Sequence, residues 1–208
     1  MQNITFISTI HKEIGECNSE ELYNIIKKIS PEVIFLEALN DTYSEYENFL
    51  FSNYEVYHQK LEIAAIQIYQ QQTSFEYVPV CEIGLSDAFH SKINITCQNR
   101  ELQKLIESFN FLASKYGFKF LNSQECINLQ DEMRVLESRI LNNRDMDEIV
   151  KADIEAYENP MIKNICTYCE KNHFSSAIFM CGAAHRKSII EKIKTENKMS
   201  LSWTVFEG

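Results

Sequence analysis

The feature that most constrains the fold is a strand–helix–strand unit near the start of the chain. Residues 4–10 predict a buried strand, and His11 follows that strand directly. Asn18 opens a capping-box sequence, after which apolar residues recur at helical spacing. Residues 33–36 predict a second buried strand, which ends at Glu37. Two strands joined through one helix lie parallel with a right-handed crossover, so their carboxyl ends meet at one edge of the sheet.

The next elements extend this parallel arrangement. A helix is expected from about Gln59 to Gln72, and it leads to a strand over residues 77–81. Pro79 removes one backbone donor from that strand, which favours a position at the sheet edge or a bulge. Glu82 follows the strand, so the topology brings it to the same edge as His11 and Glu37.

The middle of the chain, about 86–175, has helical periodicity and predicts a large helical insertion. The helices expected within it cover about 102–117, 123–140, 143–158 and, after a break at Pro160, 161–173. A strand from Ser176, a helix after His185 and a strand over 201–206 complete the chain. We therefore predict one α/β domain over residues 1–208, in which a mostly parallel central sheet has helices on both faces.

Composition narrows the partners and the cellular compartment. The formal net charge of −10 repels nucleic-acid phosphates and anionic lipid surfaces, so neither is an expected partner. No segment approaches the ~20 apolar residues that cross a bilayer, and the N-terminus has no basic, apolar leader. Seven cysteines, an odd number, fit a reducing compartment better than a disulfide framework. These features predict a cytoplasmic protein and leave the oligomeric state open, and the small-molecule or peptide substrate that we expect follows from the candidate site below.

Two histidines stand at matching places in the predicted fold. His11 follows the first strand, and His185 follows the strand that begins at Ser176, with Gly182 three residues before it. In open α/β sheets, ligands bind in the crevice outside the carboxyl ends of the strands. A single histidine of this kind is more often a capping or core residue, but two in equivalent places favour one shared site.

Six segments together resemble the TraB/Tiki-type superfamily, whose relatives include erythromycin-esterase-like and ChaN-like haem-binding proteins. In chain order they are the strand ending at His11, residues 31–37, the helix segment 62–66, the strand segment 78–82, Asn143–Met146 and the Gly182–His185 motif. The resemblance covers nearly the whole chain. The first Gly-x-x-His of the family is altered here, because Ser8 takes the place of the glycine, and Glu82 stands where an aspartate is expected.

What the resemblance implies about function is broad, since its members differ in activity: metal-dependent proteolysis, ester cleavage, haem binding and pheromone shutdown. Two histidines and a carboxylate can hold a divalent transition metal, with manganese, cobalt, zinc and iron all compatible. We expect His11, Glu37 and His185 as ligands in a metal-dependent hydrolase of peptide, amide or ester bonds. Glu82 is expected as a fourth ligand or general base, and Arg144 as the group that holds a substrate carboxylate or an oxyanion.

Three alternatives stay open at this stage. The first is ester cleavage without a metal, in which a histidine acts as the general base and a carboxylate orients its ring. A binding module for haem or a small ligand is a second possibility, and a degenerate relative acting through protein contacts is a third. Tyr43, Tyr46, Phe49 and Phe51 are also candidates for lining a pocket.

Cys166, Cys169 and His173 have the local look of a zinc knuckle. They supply only three ligands, and on a helix they share one face with buried apolar residues. A packed helix with free thiols is the favoured interpretation, because unpaired cysteines are commonly buried.

Overall fold

A five-stranded parallel sheet organises the chain, which is described by a computed structural model covering residues 1–39, 60–195 and 201–208. The strands, in chain order, are β1 (Gln2–Thr9), β2 (Val33–Leu39), β3 (Glu76–Cys81), β4 (Ser176–Gly182) and β5 (Leu201–Val205). Their order across the sheet is β3-β2-β4-β1-β5, and every neighbouring pair is parallel. The predicted α/β fold with a parallel sheet is therefore confirmed.

The helices, in chain order, are α1 (Ser19–Ile29), α2 (Leu61–Gln70), α3 (Asp87–Thr96), α4 (Arg100–Leu121), α5 (Gln124–Leu141), α6 (Arg144–Lys171) and α7 (Arg186–Thr195). The predicted cap of α1 is present, since the Asn18 side chain accepts a hydrogen bond from the Glu21 amide at 2.9 Å. At the other end, Ser30 adopts the left-handed conformation before Pro31, which ends the helix.

Both faces of the sheet are covered by helices. Helices α1, α2 and α4 pack on one face, around strand residues such as Ile7, Ile34 and Ile178. Helices α6 and α7 pack on the opposite face, around Phe6 and Phe179. We call these the α1/α2 face and the α6/α7 face. This layering follows from strand alternation, because successive side chains of a strand point to opposite sides of the sheet.

The chain leaves two adjacent strands toward opposite faces. After β1 it continues into α1 on one face, whereas after β4 it continues into α7 on the other. Strands β1 and β4 are direct neighbours, with Thr9 paired to Gly182. Divergence of this kind at neighbouring strand ends leaves a crevice, which is where open α/β sheets bind their ligands.

The pairing of β2 with β3 is irregular at the place where Glu37 lies. Leu36 is opposite Pro79 and Leu39 is opposite Cys81, so β2 contains one residue more than β3 between these pairs. A bulge of this type bends the strand and re-aims a side chain. Pro79 lies on the edge strand beside the irregularity, as its missing backbone donor predicts.

The helical insertion is present, and it contains α3 (Asp87–Thr96) in addition to the expected helices. The expected break at Pro160 is wrong: α6 runs without interruption from Arg144 to Lys171 with Pro160 inside it. Proline removes one intrahelical hydrogen bond and strains the preceding turn. Burial of Tyr157, Met161 and Ile162 against the sheet stabilises the helix on both sides of Pro160 and offsets that cost.

Two further properties of the described chain bear on function. No helix within it is both long enough and apolar enough to cross a membrane. All seven cysteines are free thiols, and five of them are buried.

Candidate functional site

The strand order brings the three predicted metal ligands to one edge of the sheet. Glu37 lies on β2, His185 follows β4 and His11 follows β1, and β4 is the strand between the other two. The register aligns Leu36 with Met180 and Ser8 with Cys181, so the three strands end at the same level. The predicted convergence of these strand ends is therefore present in the fold.

His185 is held between two buried glutamates. It ends a short 3-10 turn (Ala183–His185), and only 12% of its side chain is exposed. Its Nδ1 lies 2.8 Å from Glu158 Oε1, and its Nε2 lies 3.6 Å from Glu37 Oε1. Glu158 comes from α6 and is fully buried, and its second oxygen accepts a hydrogen bond from the Ser188 hydroxyl.

Glu37 is fixed through both of its oxygens. The Tyr157 hydroxyl donates to Oε1 at 2.7 Å, and the Gly182 amide donates to Oε2 at 2.6 Å. Burial alone would raise the pKa of Glu37, but the His185 ring, the Gly182 amide and the Tyr157 hydroxyl outweigh burial and hold it below its usual value. Burial and the neighbouring carboxylate raise the pKa of Tyr157, so this hydroxyl keeps its proton and remains a donor.

Gly182 has a steric role in this arrangement. A Cβ atom built at this position would lie 3.3 Å from Glu37 Oε2, which is tighter than an ordinary van der Waals contact. Glycine therefore lets the carboxylate approach the backbone amide. This accounts for the glycine in the Gly182–His185 motif.

His11 occupies a more open position on the α1/α2 face. Half of its side chain is exposed, and its Nδ1 lies 2.9 Å from Glu62 Oε1. The Thr9 hydroxyl donates to the same oxygen at 2.8 Å. The hydrogen bond to Glu62 raises the pKa of His11 above its ordinary value, and burial opposes this effect only in part. The His11 carbonyl also accepts from the Leu61 amide at 3.0 Å, which anchors the start of α2 beside the histidine.

One small cleft connects the surroundings of His11 with Glu37, which lies beside His185. It is lined by His11, Leu36, Glu37, Lys60, Glu62 and Ile63. Glu62 is buried, and its Oε2 atom has no hydrogen-bond partner among the residues that the structure describes. An unpaired buried carboxylate oxygen is costly, so a cation or a proton donor at this place would relieve it.

These donors meet several requirements of a transition-metal site. Two ligands on one tetrahedral ion, each about 2.1 Å from it, are separated by roughly 3.4 Å. The 3.6 Å between His185 Nε2 and Glu37 Oε1 is close to that spacing. Within residues 1–39, 60–195 and 201–208, no three His, Cys, Asp or Glu side chains already form a group that could hold an ion. A three-ligand site therefore needs the half-exposed His11 to come closer to Glu37 and His185 than it lies in this structure.

Glu82 and Arg144 are the two other predicted site residues. Glu82 follows β3 at the correct edge, but its side chain is exposed. Arg144 is 90% exposed and pairs with Glu148 at 2.9 Å. It precedes Tyr157 by 13 residues of α6, which is about 20 Å along a helix. The roles predicted for these two residues rest on the sequence alone.

The cysteine-rich segment of α6 packs as predicted for a buried helix face. Cys166 lies in the core of the α6/α7 face, Cys169 is partly exposed, and His173 is exposed beyond the end of the helix. The aromatic residues proposed to line a pocket, namely Tyr43, Tyr46, Phe49 and Phe51, lie outside the described residues.

A larger groove, of about 700 Å³, lies next to the cluster between the start of α5 and α7. Arg186 lines it, yet the guanidinium is buried and spans three parts of the fold, donating to Ser8, Asn122 and the Phe206 carbonyl. These partners indicate that Arg186 has a structural role, because it holds three parts of the fold together. The groove therefore does not replace the histidine cluster as the candidate site.

Sequence reasoning missed Tyr157, Glu158 and Glu62 as site residues. A signal exists for each carboxylate, because each interrupts the buried face of a helix: Glu62 follows Leu61 and precedes Ile63, and Glu158 lies one turn before Ile162. A charged residue is almost never fully buried unless it is paired. Tyr157 carries no such signal, since an aromatic residue on a buried helix face is ordinary core.

Comparisons with models of protein families, with curated proteins and with solved structures yield no match. The resemblance to the TraB/Tiki-type superfamily therefore rests on the motifs described above.

Proposed function

We propose that this protein is a metal-dependent hydrolase of a peptide, amide or ester bond, with His11, Glu37 and His185 as metal ligands. The observation that carries the proposal is the way both histidines are held. Each ring places Nδ1 against a buried glutamate, Glu62 or Glu158, which leaves Nε2 for another partner. Metal-ligating histidines characteristically donate their other ring N–H to a carboxylate in this manner.

The ligands differ in how far they are preorganised. The side chains of Glu37 and His185 are only 8% and 12% exposed and already lie close together, so they form the fixed part of the proposed site. His11 is half exposed and is the ligand that completes it. Manganese, cobalt and zinc all accept such a mixed imidazole and carboxylate set. The motifs shared with the TraB/Tiki-type superfamily support the same assignment.

The chain supplies substrate binding and proton handling around this centre. A bound transition metal polarises a carbonyl group and lowers the pKa of a coordinated water. The free Oε2 atom of Glu62 is placed at the cleft to accept a proton from an attacking water. Lys60 lines the same cleft and adds a positive charge near a developing oxyanion.

A second candidate function, metal-free ester cleavage, is favoured by the His11 half of the site alone. His11 is accessible, and Glu62 holds its Nδ1, which is the arrangement of a general base with its orienting carboxylate. This mechanism needs neither Glu37 nor His185 as a ligand.

Hydrolysis of a panel of aryl esters, amides and peptides by chelator-treated protein tests the proposal. We expect no activity without metal and activity after manganese, cobalt or zinc is restored. The variant His185→Ala is expected to lose this activity. Ester cleavage that survives chelation and His185→Ala but is lost in His11→Ala would instead establish the metal-free mechanism. No hydrolysis of any substrate under either condition would contradict both functions.

A further inference from the structure

Two consecutive residues of α6 contact the two preorganised ligands of the site. Tyr157 donates its hydroxyl to Glu37 Oε1 at 2.7 Å, and Glu158 holds His185 Nδ1 at 2.8 Å. Consecutive residues of an α-helix point about 100° apart, so one turn of one helix reaches two different side chains. Sequence analysis assigned neither residue a role.

We infer that the Tyr157–Glu158 pair is the positioning element of the proposed metal site, fixing the orientation of Glu37 and the ring protonation of His185. This inference rests on the proposed function. Neither residue is a metal ligand in it. Both act through the residue that they hold.

The role of Tyr157 follows from the geometry around Glu37. A carboxylate can accept about four hydrogen bonds or metal contacts. The Tyr157 hydroxyl uses one acceptor direction of Oε1, and the Gly182 amide uses one of Oε2. Oε1 also lies 3.6 Å from His185 Nε2, so its remaining acceptor capacity is on the side of the histidine. The Tyr157 ring also packs on the His185 ring, with centroids 5.5 Å apart.

The role of Glu158 follows from what a carboxylate can accept. An ionised carboxylate only accepts hydrogen bonds, and carboxylates face both ring nitrogens of His185. Nδ1 lies within hydrogen-bond distance of Glu158, at 2.8 Å, whereas Nε2 lies 3.6 Å from Glu37, so a ring with one proton carries it on Nδ1 and directs the Nε2 lone pair toward Glu37. Ser188 and Lys192 contact the other Glu158 oxygen, which fixes the carboxylate itself.

An alternative explanation is that the pair only stabilises packing between α6 and the sheet. The same helix contains a matched contact of that purely structural type. Tyr168 donates its hydroxyl to Glu76 Oε2 at 2.5 Å, eleven residues further along α6 and at the amino end of β3. Tyr168→Phe removes the same chemical group from the same helix far from the site, so it is the control for Tyr157→Phe.

The experiment measures Co²⁺ binding to the wild-type protein, Tyr157→Phe, Glu158→Gln and Tyr168→Phe. Affinity is obtained by competition with a chromogenic chelator, and coordination is followed by the visible Co²⁺ spectrum. We expect Tyr157→Phe and Glu158→Gln to weaken binding about 10- to 100-fold and to alter the spectrum, as loss of an outer-shell partner does. Tyr168→Phe is expected to match the wild type. Far-UV circular dichroism and thermal unfolding of each variant establish that it is folded, and Tyr157→Phe, which keeps the ring, decides the outcome if Glu158→Gln does not fold.

A metal-free arm separates this inference from the proposed function. Ring ¹⁵N NMR of chelator-treated protein, at a pH where the ring carries one proton, locates the His185 proton, which we expect on Nδ1 in the wild type and divided between the two tautomers in Glu158→Gln, because an amide can donate as well as accept. If the wild type binds Co²⁺ and both site variants bind it equally well with unchanged spectra, the positioning role is overturned and the metal site stands. If even the wild type binds no metal, the proposed function fails, and the NMR arm decides the positioning role. An unchanged His185 proton in Glu158→Gln would then overturn it.

Discussion

The two histidines of this protein use the same anchoring device on opposite faces of one sheet edge. On the α6/α7 face, His185 is 12% exposed and lies between Glu158 and Glu37. On the α1/α2 face, His11 is 50% exposed and contacts Glu62. In both cases a buried glutamate from a neighbouring helix holds Nδ1.

The difference between the two halves lies in how completely their carboxylates are paired. Both oxygens of Glu158 and both oxygens of Glu37 have partners, whereas one oxygen of Glu62 has none within residues 1–39, 60–195 and 201–208. A fully paired buried network is rigid, and a partly paired one is where a ligand gains most by binding. The comparison indicates that the His185 half supplies fixed geometry and the His11 half supplies access.

The largest expected difference between the halves is in stability. His185→Ala leaves Glu37 and Glu158 buried without their shared partner, so we expect the free energy of unfolding to fall by about 3 kcal/mol. His11→Ala opens Glu62 to water at an already exposed position and is expected to cost about 1 kcal/mol. Urea denaturation of metal-free protein measures both. Equal losses would show that the two halves are equally ordered.

Removal of a single hydroxyl probes the pairing of each glutamate. Thr9→Val leaves Glu62 with His11 as its remaining partner, whereas Ser188→Ala leaves Glu158 with His185 and Lys192. We expect Thr9→Val to cost about 1.5 kcal/mol and Ser188→Ala less, since a carboxylate with more partners loses less when one is removed. Thermal unfolding of the two variants compares these losses of stability. A larger loss in Ser188→Ala would contradict the conclusion that the carboxylates of the His185 half are the more completely paired.

The two halves are also expected to respond to pH in opposite directions. The pKa of Glu37 is lowered in the folded protein, so its contribution to stability is present above about 4.5 and is lost as the pH falls through the folded value. The pKa of His11 is raised, so its contribution is present below 6.5 and is lost as the pH rises through the folded value. His11 is half exposed, and its effect should stay under about 1 kcal/mol.

Melting temperatures of chelator-treated wild type, Glu37→Gln and His11→Ala from acid to alkaline pH test this. The gap between wild type and Glu37→Gln should narrow toward acid pH, and the gap between wild type and His11→Ala should narrow toward alkaline pH. Gaps that change in the same direction would contradict the assigned pKa shifts.

The smallest expected effect is in the reactivity of the buried thiols. This reactivity measures how far the His185 half is closed to solvent, and its measurement requires no variant that changes stability. Burial raises the pKa of the Cys81 thiol to about 12 and that of Cys181 well above its ordinary value, and both lie near Glu37. Cys97 is exposed. With a chromogenic disulfide reagent, Cys97 should react at once and the other two only on unfolding. Rapid modification of Cys81 or Cys181 in native protein, located by mass spectrometry, would show that this half opens readily.

Much of the fold follows from local patterns in the sequence. The cap at Asn18, the strand–helix–strand unit and Pro79 on an edge strand depend on short-range rules, and the structure agrees with each. The expected break at Pro160 is the exception, because tertiary burial of the neighbouring residues overrides the local preference of proline.

The site is less accessible to such reasoning. His11, Glu37 and His185 are predictable because each ends a strand, and topology alone then brings them to one edge. Tyr157 and Glu158 are not, since their role depends on how α6 lies across the sheet, which no local pattern encodes. The roles of Glu82 and Arg144 stay predictions: both side chains are exposed, and Arg144 pairs with Glu148.

The central claim is that the two histidine halves hold one metal ion between them, and metal stoichiometry tests it most directly. Elemental analysis is performed on wild type, His11→Ala, His185→Ala and the exposed-histidine control His173→Ala, each purified without chelator or nickel resin and then offered manganese, cobalt and zinc. We predict one equivalent of a transition metal in the wild type and in His173→Ala, and its loss in His185→Ala and His11→Ala. Wild-type stoichiometry in His185→Ala, or no metal in the wild type, would contradict the account.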